Sequence, residues 1–351
     1  SAQRYSASVA ASIGAGLLGI LTGSDLLAQA GQSVAGMALA SYSRDQEFQA
    51  DTLGVRYLSR TGYDSTAMST FLAKLQAESE LKAELAGHPG KANEYNIMAT
   101  HPRTLDRVHA AIEAAQRQSG PPANPIVGRD EYLNAIDGMA YGGDRQNGYV
   151  KNRTFLHPGL RLQFEVPPGF QLINGSSQIV ATGPSNSQIM FDRDTRQGGG
   201  QSMPTYLQSV WARSLRLQSV EAVTINAMEA ATAAARVNTN AGTMNAQLVA
   251  IRFDPRTIYR FIFLTPPNAT AGLNEWLRRT TYSFRKLSDS EAAAAQPLRI
   301  RVVTVGAGDT VDTLARRMAF DDHQAARFRV LNGLQGDAGL RPGQRVKIIA
   351  D

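Results

Sequence analysis

Cysteine is absent from this 351-residue chain, and histidine and tryptophan are scarce, with five and two copies. Without cysteine the chain can form neither a disulfide bond nor a metal site with thiolate ligands. No two histidines are four residues apart, so no helix of this sequence presents two histidine ligands one turn apart. The five histidines are His88, His101, His109, His157 and His323.

The sequence also lacks a secretion signal at Ser1, so we expect Ser1 to mark a cut in a longer protein. Residues 5–42 are rich in Ala, Gly, Ser and Leu, with Asp25 as their single charge. The apolar run Val9–Leu21 is shorter than the roughly 20 residues that span a membrane. Three interpretations stay open: small-residue helices packed against the protein, helices at a membrane surface, and a membrane span.

No segment concentrates charge of one sign, although the net charge is +6 and the pI is about 9.6. Because lysine and arginine are interspersed with acids, the charge selects no partner by itself, and we expect no nucleic acid to bind. A length of 351 residues with 43% hydrophobic content suffices for two or three packed domains.

The segment from Ser43 to Arg60 contains one glycine and no proline, which favours a helix. Ala50, Leu53, Tyr57 and Leu58 recur at the spacing of a buried face. Glu47 and Asp51 are four residues apart, so they lie one turn apart on the flank of that face. Two explanations stay open, since the acids could be solvated near the positive end of the helix or could form part of a site.

The pattern S-R-x-x-E-x-x-A-D-x-x-G, followed by Gly62-Tyr63-Asp64, resembles the third-ligand helix of the HtpX-like and CAAX-protease-type zinc metallopeptidases, peptidase family forty-eight. The resemblance implies that Glu47 is a ligand for one zinc ion and that Asp51 orients a ligand histidine.

A second pattern, Thr-His-Pro followed by Arg107, is similar to the distal His-Pro-x-x-x-x-Arg signature of the same family. By this resemblance His101 faces the active site and Arg107 holds a neighbouring carboxylate. Alternatively, His101 caps the helix that Pro102 begins.

The His-Glu-x-x-His motif, which supplies two ligands and the catalytic glutamate in that family, is missing from the sequence. Ser1-Ala2-Gln3-Arg4 resembles the residues that follow this motif in the family. We therefore expect an N-terminal segment carrying the motif to complete the site. The chain alone would supply one zinc ligand and no general base, so we expect it neither to hold zinc nor to cut peptides.

Residues 119–152 read as a linker with a short helix, Glu131–Met139, and a polar loop, Gly142–Asn152. Residues 153–288 carry short β-rich runs interrupted by two helical patterns, which predicts an antiparallel α+β domain without a catalytic cluster. The strand order resembles a PsbP-like domain. Trp211 and Trp276 are expected to anchor the two helices on the sheet.

Residues 299–350 read as strand, turn, two helices and strand, and they resemble a LysM module. The residues that carry the resemblance are Gly308-Asp309-Thr310, Leu331-Asn332-Gly333 and Pro342-Gly343-Gln344. In the turn, Asp309 and Thr310 can cap the helix that Val311 opens. The family binds glycans containing N-acetylglucosamine, so Gly308, Asp309, Thr310, Asn332 and Gly333 would contact peptidoglycan. Alternatively, the module only packs against the rest of the chain.

The predicted fold class is multidomain α+β. Its parts are a helical partial metalloprotease domain (1–118), the linker (119–152), a PsbP-like antiparallel α+β domain (153–288) and a small βααβ LysM-like domain (299–350). The predicted function is the C-terminal portion of a zinc metalloendopeptidase, periplasmic or envelope-associated, which cuts protein or peptide substrates. The alternative is a non-enzymatic peptidoglycan-binding or scaffold protein.

Overall fold

The computed structural model describes residues 44–85, 90, 110, 113, 117, 124–175, 178–195, 200–239 and 242–351, without the side chains of 44–48 and 72. These residues form two compact units. One unit consists of residues 142–297, and the other combines 44–141 with 298–351. The segment 5–42, with its predicted helices, lies outside the described residues.

Helix α1 (Arg44–Arg60) confirms the helix predicted at the start of the described chain. It ends at Arg60, two residues before Gly62, whose φ of 79° is left-handed. The Tyr63 N–H donates to the Leu58 carbonyl at 2.9 Å, so the last carbonyls of the helix are satisfied. Helix α2 (Ala67–Leu85) follows directly.

The predicted buried face of α1 is wrong in its described part. Val55 is only 2% exposed, whereas Leu53 and Tyr57 are 42% and 59% exposed. The two helices meet at Gly54, where an added Cβ would lie 2.5 Å from Cε of Met68. Since residues two positions from Val55 point to the opposite side of a helix, Leu53 and Tyr57 face away from this contact.

The LysM-like segment folds as predicted into a βααβ unit. Its elements are β13 (Arg299–Thr304), α7 (Val311–Ala315), α8 (Gln324–Asn332) and β14 (Arg345–Ala350). The two strands pair antiparallel. Helix α3 (Arg129–Ile136) adds Leu133 and Ile136 to their core, which surrounds the buried Phe328. Helix α8 also packs against α2.

The unit of residues 142–297 is built on two antiparallel sheets, which bears out the predicted α+β class. The smaller sheet has the order β1-β2-β3-β4-β12 and the larger β5-β6-β7-β11-β10-β9-β8. The strands of the smaller sheet are β1 (Gly143–Asp144), β2 (Gly148–Lys151), β3 (Thr154–His157), β4 (Leu162–Glu165) and β12 (Arg285–Lys286). Those of the larger sheet are β5 (Gln171–Asn174), β6 (Ile179–Thr182), β7 (Gln188–Asp194), β8 (Leu217–Ile225), β9 (Met228–Thr239), β10 (Gly242–Asp254) and β11 (Thr257–Thr265).

The loop predicted for Gly142–Asn152 is wrong, because β1 and β2 form a hairpin there. These strands are two and four residues long, too short for the alternation that reveals a strand. Gly148 has a φ of 76°, and a Cβ there would lie 2.7 Å from the Phe155 ring. Glycine is therefore required for the close packing of this hairpin.

Each face of the larger sheet is covered by a helix. One face packs against α4 (Met203–Tyr206), which continues as a π-helical turn, Leu207–Trp211. Trp211 is buried in that core, as predicted. The other face packs against α5 (Pro267–Ser283), through Leu277 among others. A short helix, α6 (Asp289–Ala294), follows β12. Trp276 does not anchor this helix as predicted, because it is 40% exposed and lies 4.9 Å from the Arg279 guanidinium.

A buried ion pair lies under the π-helical turn. Arg260, on the central strand β11, is 4% exposed and donates to both carboxylate oxygens of Asp192 on β7, at 2.7 and 2.5 Å. The hydroxyl of Tyr206 donates to Asp194 at 2.8 Å, and burial raises the pKa of Tyr206, so the phenol stays a neutral donor. The Arg260 guanidinium also lies 5.2 Å from the centre of the Trp211 ring. Charge, hydrogen bonds and ring packing therefore hold the helical turn on the sheet.

Replacing Arg260 with alanine should lower the free energy of unfolding by about 3–5 kcal/mol, because Asp192 would be left buried without its partner. Urea unfolding followed by Trp211 fluorescence, in a Trp276→Phe background, measures this loss. The control is Arg256→Ala at an exposed turn position, which should change stability by less than about 0.5 kcal/mol. A similar loss in both variants would contradict the central role of Arg260.

Candidate functional site

The structure describes the acidic pair of α1 only in part. The backbone of Glu47 lies in α1, one turn before Asp51, as the spacing predicts. Asp51 is half-buried. The side chain of Glu47, and the whole of His101 and Arg107, lie outside the described residues. The roles given to these four residues by resemblance therefore stay predictions.

In the described part of the chain, no three or more His, Cys, Asp and Glu side chains form a group that could hold a metal ion. The residues that the structure describes thus supply no complete zinc site. Across the same residues, none of the helices has the length and apolar character needed to cross a bilayer.

The Gly308-Asp309-Thr310 turn is the first of the two segments predicted to contact glycan. Thr310 accepts from the Thr313 N–H at 3.2 Å, and the Thr313 hydroxyl accepts from the Thr310 N–H at 2.8 Å. This reciprocal cap confirms the predicted role of Thr310. Asp309 instead accepts from the Gly306 N–H at 2.7 Å, which closes the turn. Gly308 is exposed, and open space surrounds it.

The Asn332-Gly333 pair is the second segment predicted to contact glycan. The Asn332 amide donates to the Phe328 and Lys347 carbonyls at 3.0 and 2.9 Å, and its oxygen accepts from the Lys347 N–H at 2.7 Å. One amide donor is therefore used within α8, and the other, together with the amide oxygen, fastens α8 to β14. Gly333 ends α8 with a φ of 65°. The motif residue Asn332 thus has a structural role, and its predicted glycan contact stays untested.

Lys74 of α2 lies directly against Gly333. A Cβ added to Gly333 would collide with Cε of Lys74 and lie 3.3 Å from its Nζ. The pKa of nearby Lys347 is lowered by burial and then by the charges of Lys74 and Arg129. Gly333 is therefore covered by a cationic side chain, whereas Gly308 is exposed.

Sequence reasoning missed a cleft of about 550 Å³ between α5 and strands β8–β11. Its floor includes Asn245 and Gln247, at alternate positions of β10 where the same face further along carries Val249 and Ile251. The sequence signal for this cleft was a pair of amides at neighbouring positions of one strand face that is otherwise apolar. Such positions normally carry the apolar side chains of a core. Arg236 on β9 and Arg278 on α5 also line the cleft.

Family comparisons confirm the resemblances to peptidase family forty-eight and to the LysM module. Residues 3–115 match the model described as peptidase family M48, and residues 303–348 match the model of the LysM domain. The patterns around Glu47 and His101 lie in the first match, and the Gly308 and Gly333 turns lie in the second. The comparison with curated proteins found no match.

Three solved structures resemble parts of the chain at low identity. A crystal structure from Bacteroides thetaiotaomicron is 12% identical, with a TM-score of 0.32, and the match covers 43% of this chain and 53%, about half, of that chain. The solution structure of cyanobacterial PsbP (CyanoP) from Synechocystis sp. is 11% identical, covering 39% and 94%, with a TM-score of 0.31. LpqN, involved in cell envelope biogenesis of Mycobacterium tuberculosis, is 12% identical, covering 36% and 83%, with a TM-score of 0.28. At these TM-scores we draw no argument from the similarities.

Replacing Asn332 with alanine should destabilise the LysM-like module by about 1–3 kcal/mol, because the Lys347 backbone groups lose their partners. Hydrogen exchange of the Lys347 amide, followed by NMR, measures the loss locally. Gln335→Ala, at an exposed position three residues on, is the matched control and should leave the exchange rate unchanged. Equal exchange in the Asn332 variant and the wild type would show that the side chain does not fasten α8.

Proposed function

We propose that this chain is the C-terminal portion of a zinc-dependent metalloendopeptidase of the bacterial cell envelope, with protein or peptide substrates. In the intact protein Glu47 would ligate the metal and Asp51 would orient a ligand histidine. His101 would face the active site, and Arg107 would hold a neighbouring carboxylate. A zinc ion bound there would supply a water of lowered pKa for peptide hydrolysis. The observation that carries the proposal is the family match over residues 3–115, within which α1 sets Glu47 and Asp51 one turn apart.

The proposal includes the expectation that this chain is inactive by itself. No His-Glu-x-x-His occurs in its 351 residues, so two ligands and the general base must come from elsewhere in the intact protein. An upstream reading frame without that motif would contradict the enzymatic proposal at once.

Calorimetric zinc titration tests these roles without relying on activity. The 351-residue chain should show no tight stoichiometric binding. In the protein extended upstream through the motif, Asp51→Asn should weaken zinc binding by about 10–100-fold, because the ligand histidine loses its orienting partner. Glu47→Gln should weaken binding further.

Glu84→Gln on the exposed side of α2 is the matched control and should bind zinc like the wild type. Tight binding by the 351-residue chain, or wild-type affinity in the Asp51 variant, would overturn the assignment.

We further propose that the LysM-like module attaches the protein to peptidoglycan through the Gly308–Thr310 turn. The support is the LysM match together with the exposure of this turn. Lys74 lies over Gly333, so Gly333 can contact glycan only after that side chain moves.

The same contact favours a second candidate function, a non-enzymatic scaffold. In that role α8 serves to dock the module on α2, where the two helices pack together.

Sedimentation with purified peptidoglycan separates these two roles of the module. Ala307→Glu places a carboxylate beside Gly308 and should reduce retention by about tenfold, equivalent to about 1.4 kcal/mol. Ala338→Glu, in another exposed turn of the module, is the charge-matched control. Lys74→Ala should increase retention by uncovering Gly333. Retention that none of these substitutions alters would favour the scaffold.

A further inference from the structure

The cleft between α5 and the larger sheet lies wholly within residues 142–297 and has no part in the sites proposed above. The register of the strands arranges its floor in rows. Thr265, Asn245 and Arg236 form one row across β11, β10 and β9. Phe263, Gln247 and Ala234 form the next. Since alternate residues of a strand share a face, all of these side chains point to the same side as α5.

One end of the cleft is apolar. Val249 and Phe263 on the floor and Leu277 on α5 are buried and belong to a single hydrophobic cluster. Ile225 at the end of β8 closes the same region. A ligand that reaches this end gains affinity by placing an apolar group there.

The amides on the floor leave hydrogen-bond acceptors available. The Asn245 amide nitrogen donates to the Thr270 hydroxyl at 2.9 Å, and the Gln247 amide nitrogen donates to the Thr232 hydroxyl. Thr232 in turn donates to the Leu248 carbonyl. These bonds hold each of the two amides in one orientation. In that orientation its carbonyl oxygen accepts no hydrogen bond from the described residues. Two such oxygens in adjacent rows suit a ligand with successive N–H groups.

The charges that line the cleft favour an anion. Arg236 and Arg278 have no acidic partner within the part of the chain that the structure describes, and Glu221 is the acid on the β8 side. Arg278 lies 5.7 Å from the centre of the Tyr282 ring, so this face of the ring is not open for stacking against a sugar. Guanidinium groups bind carboxylates through paired hydrogen bonds.

We propose that this cleft binds the C-terminal end of a short peptide. The carboxylate binds Arg236 or Arg278, amide N–H groups donate to Asn245 and Gln247, and an apolar side chain occupies the end formed by Val249 and Leu277. Peptide carboxylates of this kind occur both in free peptides and in the peptide portion of cell-wall fragments.

Calorimetry with the full 351-residue chain tests the proposal, using N-acetyl-Ala-Ala-Leu with a free carboxylate as the probe. Saturable one-to-one binding is expected, and the same peptide with a C-terminal amide should bind at least about tenfold more weakly, since a charge-assisted pair is lost. Arg236→Gln and Arg278→Gln should each reduce affinity, one of them by about tenfold or more.

Arg279→Gln is the matched control, because Arg279 is the next residue of α5, pairs with Glu275 at 2.5 Å and does not line the cleft. Gln247→Glu, which replaces an acceptor amide by a carboxylate near the bound anion, is a second variant and should abolish binding.

The same tripeptide linked to N-acetylmuramic acid distinguishes the two sources. Tighter binding of this conjugate assigns the cleft to cell-wall fragments, and equal binding assigns it to free peptides. Absence of saturable binding by both probes, equal binding of the amidated peptide, or wild-type affinity in both arginine variants would overturn the proposal.

Discussion

The buried guanidinium of Arg260 is the constraint on which the sheet unit depends. It sits on the central strand of the larger sheet, pairs with Asp192 on the neighbouring strand and lies against Trp211 of the helical turn above. A buried charge is costly without its carboxylate partner, so one side chain links the pairing of β11 with β7 to the position of the helical turn. The small buried side chains of Ala231, Ala233 and Ala235 on β9 leave room for that turn to approach the sheet.

The π-helical turn covers one face of the larger sheet, so the cleft lies on the opposite face, which packs against α5. Because side chains alternate along each strand, residues between those of the closed face point toward α5. There the packing is tight at Phe261 and Phe284 and gives way to amides and arginines toward Asn245 and Arg236. The cleft is thus the end of the core, where polar side chains replace the apolar ones. The larger sheet, packed on its other face against the π-helical turn, holds these polar groups in position for a ligand.

The sequence predicted helices and strands well where the pattern of apolar residues extended over many positions. It predicted them poorly where the conformation depended on a single glycine or on contacts with residues distant in the chain. Helix α1, the long strands β10 and β11 and the βααβ order follow from patterns of many residues. The β1–β2 hairpin depends on the close packing of Gly148 against Phe155. A pattern of apolar residues in the sequence does not reveal such a contact. Leu53 and Tyr57 have the spacing of a buried face, but the contact with α2 occurs at Gly54, so burial was assigned to the wrong side. The cleft escaped notice because its row of Arg236, Asn245 and Thr265 is assembled from three strands.

The LysM-like module shows why a motif can report on a fold more directly than on binding. Asn332, Asp309 and Thr310 each use their polar atoms to close a turn or fasten a helix, so the fold alone is reason for their presence. Polar groups that the fold already uses are weaker support for binding than polar groups that line a cavity without a partner. The arginines of the cleft are of the second kind, because Arg236 and Arg278 have no acidic partner among the described residues. On that reasoning these two arginines carry more weight for ligand binding than the LysM signature.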